Sequence, residues 1–239
     1  MIDTHLLKIR ARNDISAEEE KAIRDSISEV IDYPADKTIV RAGDLLTSST
    51  LLIQGFLARY KDLSDGQRQI TELHVTGDFA DLHSFTLKRL DHNVMTLTRC
   101  RIGLVPHERL EAMTRDFPHL TRLYWFSTNL DAAIHREWEV SLGRRPAIAR
   151  MAHLFCELHV RLKLVENADE SSYDLPLTQT DLAECLGLTP VHVNRTLKEL
   201  RERGLVTFRG GRVVIDDLRG LERVAEFDPA YLYLERLKR

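Results

Sequence analysis

The sequence has no apolar run that approaches the roughly 20 residues needed for a membrane-spanning helix. Its first thirty residues, which include consecutive glutamates at positions 18–20, lack the apolar core of a signal peptide. From these two absences we expect a cytoplasmic protein without a membrane partner.

Cysteine is scarce and scattered. The chain of 239 residues contains three cysteines, Cys100, Cys156 and Cys185, and none of them belongs to a CxxC pair. The usual spacing for zinc or an iron–sulfur cluster is therefore missing. We interpret the cysteines as buried thiols, and the sequence identifies no cofactor.

Charge of one sign is not in large excess, because the formal net charge is −3. Counts of Asp, Glu, Lys and Arg give −3 for residues 1–116, −1 for 117–142, +2 for 143–215 and −1 for 216–239. Contacts to phosphates are therefore expected in residues 143–215.

The first half of the chain has the pattern of a small helix followed by strands. Residues 16–31 predict an amphipathic helix with Ser16 as its N-cap. Short β-rich runs separated by turn signals then fill residues 33–107, which predicts a sandwich or barrel. Asp65-Gly66 predicts a tight hairpin within residues 60–70.

A long helix is predicted from Pro118 to about Leu142. Apolar and small side chains follow a heptad-like spacing along it, at Leu120, Leu123, Ser127, Leu130 and Ile134. Such a seam favours a dimer interface with the same helix of a second copy. The alternative is that the seam packs on the strands of its own chain.

Residues 178–203 have the local signals of two helices joined by a short turn. Thr178 and Asp181 form a capping box, Gly187 is a C-cap, and Pro190 starts the second helix, predicted over 190–203. Two helices joined in this way predict a helix-turn-helix.

The outer side of the second helix carries the candidate DNA-reading residues. Arg195 can pair with O6 and N7 of guanine in the major groove, although a solvated helix charge is the alternative. The other candidates for base contacts are Asn194, Val191 and Pro190, and those for phosphate contacts are His192 and Lys198.

Two short strands around Gly210-Gly211 predict a hairpin with a type I′ turn, which would form a wing. Arg209 and Arg212 flank its tip. They are candidates for contacts with backbone phosphates, although a soluble loop tip would carry similar residues.

The motif LTQTDLAECLGLTPVHVNRTLKEL at residues 177–200 resembles the Crp/Fnr family, the relatives of the catabolite activator protein. The resemblance spans almost the whole chain, including Ser64-Asp-Gly66 and Gly77-Asp-Phe79. It implies an α+β protein with three parts. These are a β-roll sensor of the cyclic-nucleotide-binding type (a double-stranded β-helix) in residues 1–116, a dimerisation helix in 117–142 and a winged helix-turn-helix in 143–239.

The resemblance also implies the partners. A homodimer would bind double-stranded DNA at a pseudo-palindromic site with half-sites about one helical turn apart. Thr178, Gln179 and Thr180 would contact phosphates, and RNA polymerase and a small-molecule effector are the other implied partners. The regulated genes and the sign of regulation stay open. Many relatives have glutamate at the position of Val191, so the half-site should differ at the base pair read there.

The effector pocket departs from the family pattern. Cyclic-nucleotide binders carry a Gly-Glu pair and then an Arg-Ser or Arg-Thr pair, whereas a gapless alignment from Gly77 places Asp81-Leu82 and His92-Asn93 there. Leucine accepts no hydrogen bond from a ribose, and histidine is a poorer phosphate clamp than arginine. The candidate pocket, Asp81, Leu82, His83, His92 and Asn93, therefore predicts an effector other than cyclic AMP.

Other functions compete with that of a regulator. A metal- or haem-dependent sensor of the same fold is one alternative, and a cupin-type metalloenzyme using His74, Asp81, His83 and His92 is another. Cupin-like sites need histidines two residues apart, whereas these histidines are nine residues apart. An adaptor that does not bind DNA would leave Arg195 and the wing without a role. We expect a regulator and not an enzyme.

Overall fold

Short strands dominate the N-terminal half of the computed structural model, which describes residues 2–237. The elements of this half are α1 (Asp3–Arg10), α2 (Ala17–Asp25), β1 (Glu29–Tyr33), β2 (Thr38–Val40), β3 (Ser48–Gln54), β4 (Phe56–Asp62), β5 (Arg68–Val75), α3 (Ser84–Leu87), β6 (Asn93–Thr96), β7 (Cys100–Pro106) and α4 (His107–Asp116). They form two antiparallel sheets, ordered β1-β7-β3 and β2-β6-β4-β5. Leu52, Leu57 and Ile102 are fully buried between them. The predicted β-roll is confirmed.

Two turns show why glycine is needed. Gly66 closes the predicted β4–β5 hairpin with a φ of +84°. Gly55 joins β3 to β4 with a φ of +103°, and a Cβ there would lie 2.6 Å from the carbonyl oxygen of Arg99. Any larger residue at position 55 would therefore clash with backbone as well as strain the turn.

The predicted helix over residues 16–31 is half wrong. Its start is confirmed, because Ser16 and Glu19 form a capping box at the beginning of α2. The helix ends at Asp25, and residues 29–33 instead form β1, where Ile31 pairs with Ile102 of β7. The β-branched residues here gain more from the edge of a sheet than from a helix. Helix α1 was not predicted.

The second half of the chain is mainly helical. Its elements are α5 (Pro118–Arg144), α6 (Ala147–Lys163), β8 (Ser172–Asp174), α7 (Gln179–Leu186), α8 (Pro190–Glu202), β9 (Val206–Arg209), β10 (Arg212–Ile215), α9 (Leu218–Ala225) and a 3₁₀ turn (Pro229–Leu232). One apolar core joins α5, α6, α7 and α8 to the outer side of β4 and β5. None of the helices within residues 2–237 combines the length and apolar character needed to cross a membrane.

Candidate nucleic-acid interface

Local hydrogen bonds define the two helices of the helix-turn-helix. Thr178 Oγ1 accepts the Asp181 amide at 3.1 Å, and Asp181 Oδ2 accepts the Thr178 amide at 2.7 Å. Gly187 ends α7 with a φ of +59°, and Thr189 Oγ1 accepts the His192 amide at 3.2 Å. These contacts each satisfy an amide that a helix start leaves free, so they stabilise the starts of α7 and α8.

Apolar packing fixes how α8 is rotated about its axis. Val193 and Leu200 are fully buried in the apolar core that also contains Leu182 and Ala183 of α7. The opposite side of α8 is therefore directed to solvent. All the candidate contact residues on that side are exposed, namely Pro190, Val191, His192, Asn194, Arg195 and Lys198.

Arg195 lies exposed on the outer side of α8. Within residues 2–237 no hydrogen bond or ion pair engages its guanidinium group. Lys198, in contrast, lies 3.6 Å from Glu202, and Asn194 Nδ2 makes a long hydrogen bond of 3.5 Å to Gln179 Oε1. Arg195 can therefore bind a base without first breaking a contact.

The start of α7 carries the other candidate phosphate contacts, Thr178, Gln179 and Thr180, which are all exposed. The positive end of a helix dipole favours anions at such a place. The Thr178 hydroxyl already donates to Asp181 Oδ2 at 2.7 Å. Gln179 and Thr180 therefore have more freedom than Thr178 to contact a phosphate.

The wing has the predicted geometry, with Gly210 and Gly211 at φ values of +59° and +74° between β9 and β10. Its two arginines differ from each other. Arg212 Nη1 donates to Asp174 Oδ1 at 2.8 Å, and Arg212 Nη2 donates to Asp169 Oδ2 at 2.9 Å. Two carboxylates therefore balance the charge of Arg212 in the free protein, and its contact with phosphate stays a prediction. Arg209 is exposed and has no such pair within residues 2–237.

The apolar seam predicted on α5 faces its own chain. Leu120, Leu123 and Ile134 are 0%, 3% and 4% exposed, and Leu130 and Ser127 are half-buried. Leu120, Leu123 and Ile134 are therefore covered by their own chain and cannot contact a second copy, whereas Ser127 and Leu130 keep accessible surface, and the dimer interface stays a prediction.

Five exposed residues of α5 form a different stripe at alternating spacings of three and four: Arg122, Trp125, Asn129, Ala132 and Arg136. Trp125 is 67% exposed. We call these five residues the outer stripe.

The predicted effector pocket is only partly assembled. Asp81 is fully buried, and its Oδ2 accepts the Thr50 hydroxyl at 3.1 Å. Burial raises the pKa of Asp81 to about 6, against the hydrogen bonds from Thr50 that lower it. Leu82 is buried as well. Neither residue offers a free acceptor for a ribose.

The other pocket residues flank α3 and the loop after it, with His83 just before α3 and with His92 and Asn93 where β6 begins. The rings of His83 and His92 are 5.4 Å apart between centroids, and His92 Nδ1 lies 3.0 Å from Asp91 Oδ1. Asn93 Oδ1 accepts the Ala42 amide at 2.9 Å. The structure thus brings the two histidines together, whereas the Asn93 side chain is engaged in a hydrogen bond with the backbone.

Sequence reasoning missed a buried ion-pair network under α5. Arg59 Nη1 donates to Glu72 Oε2 at 2.6 Å, and Arg59 Nη2 donates to Asp131 Oδ2 at 2.8 Å. His135 Nε2 lies 3.4 Å from the same Glu72 oxygen, and His74 is fully buried beside it. The sequence signal for this network is that charged residues, Arg59 and Glu72, occupy inward-facing positions of predicted strands. These groups occupy the face between the roll and α5.

The possible metal ligands do not converge. Within the described part of the chain, His, Cys, Asp and Glu nowhere form a group of three or more that could hold a metal ion. The three cysteines are all buried, and burial raises the pKa of each thiol.

Two family models match the chain. The cyclic nucleotide-binding domain matches residues 30–117, and the Crp-like helix-turn-helix domain matches residues 149–224. Transcriptional activator protein FnrL of Cereibacter sphaeroides is 31% identical over 216 residues, which are 87% of this chain and 85% of that protein. Nitrogen fixation regulation protein FixK of Bradyrhizobium diazoefficiens is 26% identical over 82% of this chain and 81% of that protein.

Solved structures agree with these matches. FixK2 of Bradyrhizobium japonicum has a TM-score of 0.76 and 25% identity, covering 83% of this chain and 97% of that one. The fold is also shared with the c-di-GMP responsive global regulator CLP of Xanthomonas campestris, with a TM-score of 0.63, 18% identity, and 84% and 100% of the two chains covered. With its β-roll, helix-turn-helix and a relative this similar over most of its length, the chain belongs to the Crp/Fnr family of transcription regulators.

Proposed function

We propose that the protein binds a specific pseudo-palindromic DNA site as a homodimer and that α8 reads the bases. The observation that carries this proposal is Arg195, which is exposed and unpaired within residues 2–237 on the outer side of a helix whose rotation is fixed by packing. A free guanidinium at that place matches the two acceptors of guanine in the major groove.

The neighbouring residues contact either bases or phosphates. Val191, which is 71% exposed at the start of α8, offers an apolar contact to a thymine methyl group. Pro190 and Asn194 lie beside it on the base-reading side. His192, Lys198, Gln179, Thr180 and Arg209 contact phosphates, which position the protein without reading sequence.

Dimerisation occurs through the outer stripe of α5. The alternating spacing of three and four residues places the stripe on one face of the helix, as in a pair of packed helices. Ala132 allows close approach and Trp125 supplies apolar area. Two copies related by a two-fold axis would present two α8 helices to successive major grooves.

The roll, residues 1–116, acts as the sensor, and its effector is not cyclic AMP. The support is the buried Asp81-Leu82 pair together with the Arg59 network. The helix 117–142 connects this domain to the DNA-binding domain at 143–239. RNA polymerase is the expected partner on DNA, and the cytoplasm is the expected compartment.

Selection from random DNA tests this proposal directly. The purified protein is incubated with a pool of random duplexes, and the bound fraction is sequenced over several rounds. We expect a two-fold symmetric motif with half-sites about one helical turn apart. Enrichment of no motif, or of a single asymmetric half-site, would contradict the proposal.

A further inference from the structure

A groove of about 370 Å³ lies between the β-roll and the long helix. Its wall comes from α3 and the two residues before it, from α4 and from the first half of α5. Of the effector pocket expected from the sequence, Leu82 and His83 line this groove, whereas Asp81, His92 and Asn93 do not. The groove is therefore displaced from that pocket towards α4, and it touches both the roll and the helix that leads to the DNA-binding domain.

The wall of the groove carries no charge. Among residues 2–237, no Asp, Glu, Lys or Arg side chain lines it. Burial, and then the positive charge of Arg59, lower the pKa of His83 to about 3, so the His83 ring is neutral at pH 7. A charged ligand would lose water there without meeting an opposite charge, which is costly. The groove therefore favours a neutral ligand.

Much of the wall is apolar and aromatic. Leu82, Leu110 and Tyr124 are buried along it, and Phe85 is half-buried. Trp125 is 67% exposed at the edge of the groove, and no other residue within 2–237 makes a ring contact with it. A flat aromatic ligand can therefore stack on the Trp125 ring and remove its surface from water.

Threonine hydroxyl groups supply most of the polar atoms of the groove. Each donates its hydrogen to a main-chain carbonyl oxygen at 2.8 to 3.1 Å, and the four are Thr86, Thr114, Thr121 and Thr128. A hydroxyl has only one hydrogen, so each of these oxygens can only accept from a ligand. All four residues keep accessible surface. A ligand that donates a hydrogen bond therefore matches this wall.

Size and spacing narrow the ligand further. An apolar cavity of about 150 Å³ binds benzene, so the groove has room for two fused rings. Thr121 and Thr128 lie four residues before and three residues after Trp125, which places them on the same side of α5. A ligand stacked on the Trp125 ring would therefore lie beside both hydroxyl oxygens.

We propose that this groove binds a neutral aromatic molecule of two fused rings that carries one N–H donor, the chemistry of indole. Its rings stack on Trp125, and its N–H donates to the hydroxyl oxygen of Thr121 or Thr128. Binding needs neither DNA nor a second copy. Because Trp125 also belongs to the outer stripe, the ligand changes the surface that a second copy meets, and this regulatory meaning rests on the proposed function.

Three probes separate the requirements of the site, namely indole, benzofuran and indole-3-carboxylate. Benzofuran has the shape of indole with an oxygen atom in place of the N–H group, and indole-3-carboxylate adds a negative charge. Calorimetry on the full chain at pH 7.5 gives each dissociation constant. We expect benzofuran to bind about threefold to tenfold less tightly than indole, because one hydrogen bond is lost. Indole-3-carboxylate should bind about tenfold or more less tightly.

Two variants of α5 and a control locate the binding. Thr121→Val combined with Thr128→Val removes both acceptor oxygens at nearly constant shape, so indole should bind no more tightly than benzofuran. Thr128→Phe places a ring in the groove and should weaken indole binding about tenfold or more. Thr196→Val removes a hydroxyl of α8 that also donates to a main-chain carbonyl, that of His192 at 2.9 Å, and should bind like the wild type. Thermal melting verifies that each variant is folded.

Three results would overturn the site: no saturable binding of indole, equal binding of the three probes, or unchanged indole binding by both α5 variants. A preference for indole over benzofuran that survives the double variant would overturn the role of the two hydroxyl groups. The dimer dissociation constant and the DNA affinity are measured separately with and without indole. If indole binds and changes neither, the regulatory role alone is refuted. Indole binding by a protein that selects no DNA sequence would refute the proposed function and leave the site intact.

Discussion

Arg59 on β4 and Asp131 on α5 join the roll to the long helix through a hydrogen bond of 2.8 Å. The same guanidinium donates to Glu72 at 2.6 Å and to the carbonyl oxygen of Ala80 at 2.6 Å. Arg59 is 3% exposed, so its charge depends on these partners. The contact therefore connects two strands, the loop after β5 and α5 at one point.

Removal of Asp131 tests how much this contact stabilises the fold. Asp131→Ala should lower the free energy of unfolding by about 2 kcal/mol, less than for a fully buried pair because Asp131 is 22% exposed. Urea denaturation measures the change. As the control, Asp91→Ala removes the partner of the exposed Lys61 and should cost less than about 1 kcal/mol. Equal losses in the two variants would show that Asp131 adds nothing beyond a surface pair.

The outer stripe predicts the oligomeric state. Trp125→Glu combined with Ala132→Glu should give folded monomers with much weaker DNA binding, because four carboxylates would face one another across the two-fold axis. Sedimentation equilibrium measures the mass. Leu63→Glu, at a leucine of the β4–β5 hairpin that is 55% exposed against 67% for Trp125, is the matched control and should leave the dimer intact. An intact dimer in the double variant would place the interface on another surface.

We predict that the roll does not bind cyclic AMP. Leu82 cannot accept a hydrogen bond, and the Asp81 carboxylate is already used by Thr50. Calorimetry with cyclic AMP should therefore show no saturable heat at micromolar concentrations, and DNA affinity should not change when it is added. A micromolar dissociation constant with a matching gain in DNA affinity would disprove this reading of the pocket.

The two wing arginines should behave differently. Arg209→Ala should lower the slope of log affinity against log salt by about one unit, as expected when one phosphate contact is lost. Arg212→Ala should change that slope by less, because Asp169 and Asp174 already balance its charge. Filter binding or fluorescence anisotropy over a salt series gives both slopes. A larger effect of Arg212 would mean that DNA displaces the two aspartates.

The helix-turn-helix could be predicted because its determinants are local. The caps at Thr178 and Thr189 and the glycine at 187 lie within a few residues of the helix ends they set, so the sequence alone indicates them. The β4–β5 hairpin and the wing were predictable for the same reason. Their turns depend on adjacent residues that tolerate positive φ.

Contacts between distant residues could not be predicted in this way. The spacing of Leu120 and Leu123 identifies an apolar face, but only the packed chain shows that its own residues cover it. Arg212 meets Asp174 because β8 lies beside β10, across 38 residues of sequence. Arg59 and Asp131 are 72 residues apart, and no local pattern connects them.

The base-reading role of Arg195 is tested most directly by measuring the affinity of Arg195→Ala for the selected site and for its single-base variants. Because a bidentate contact to guanine discriminates between bases, the variant should lose about 1–3 kcal/mol on the selected site. It should also accept all four bases at one position of each half-site, with the salt slope little changed. If instead Arg195→Ala kept its base preferences and lost only salt dependence, Arg195 would contact a phosphate and α8 would have to meet the groove through another side.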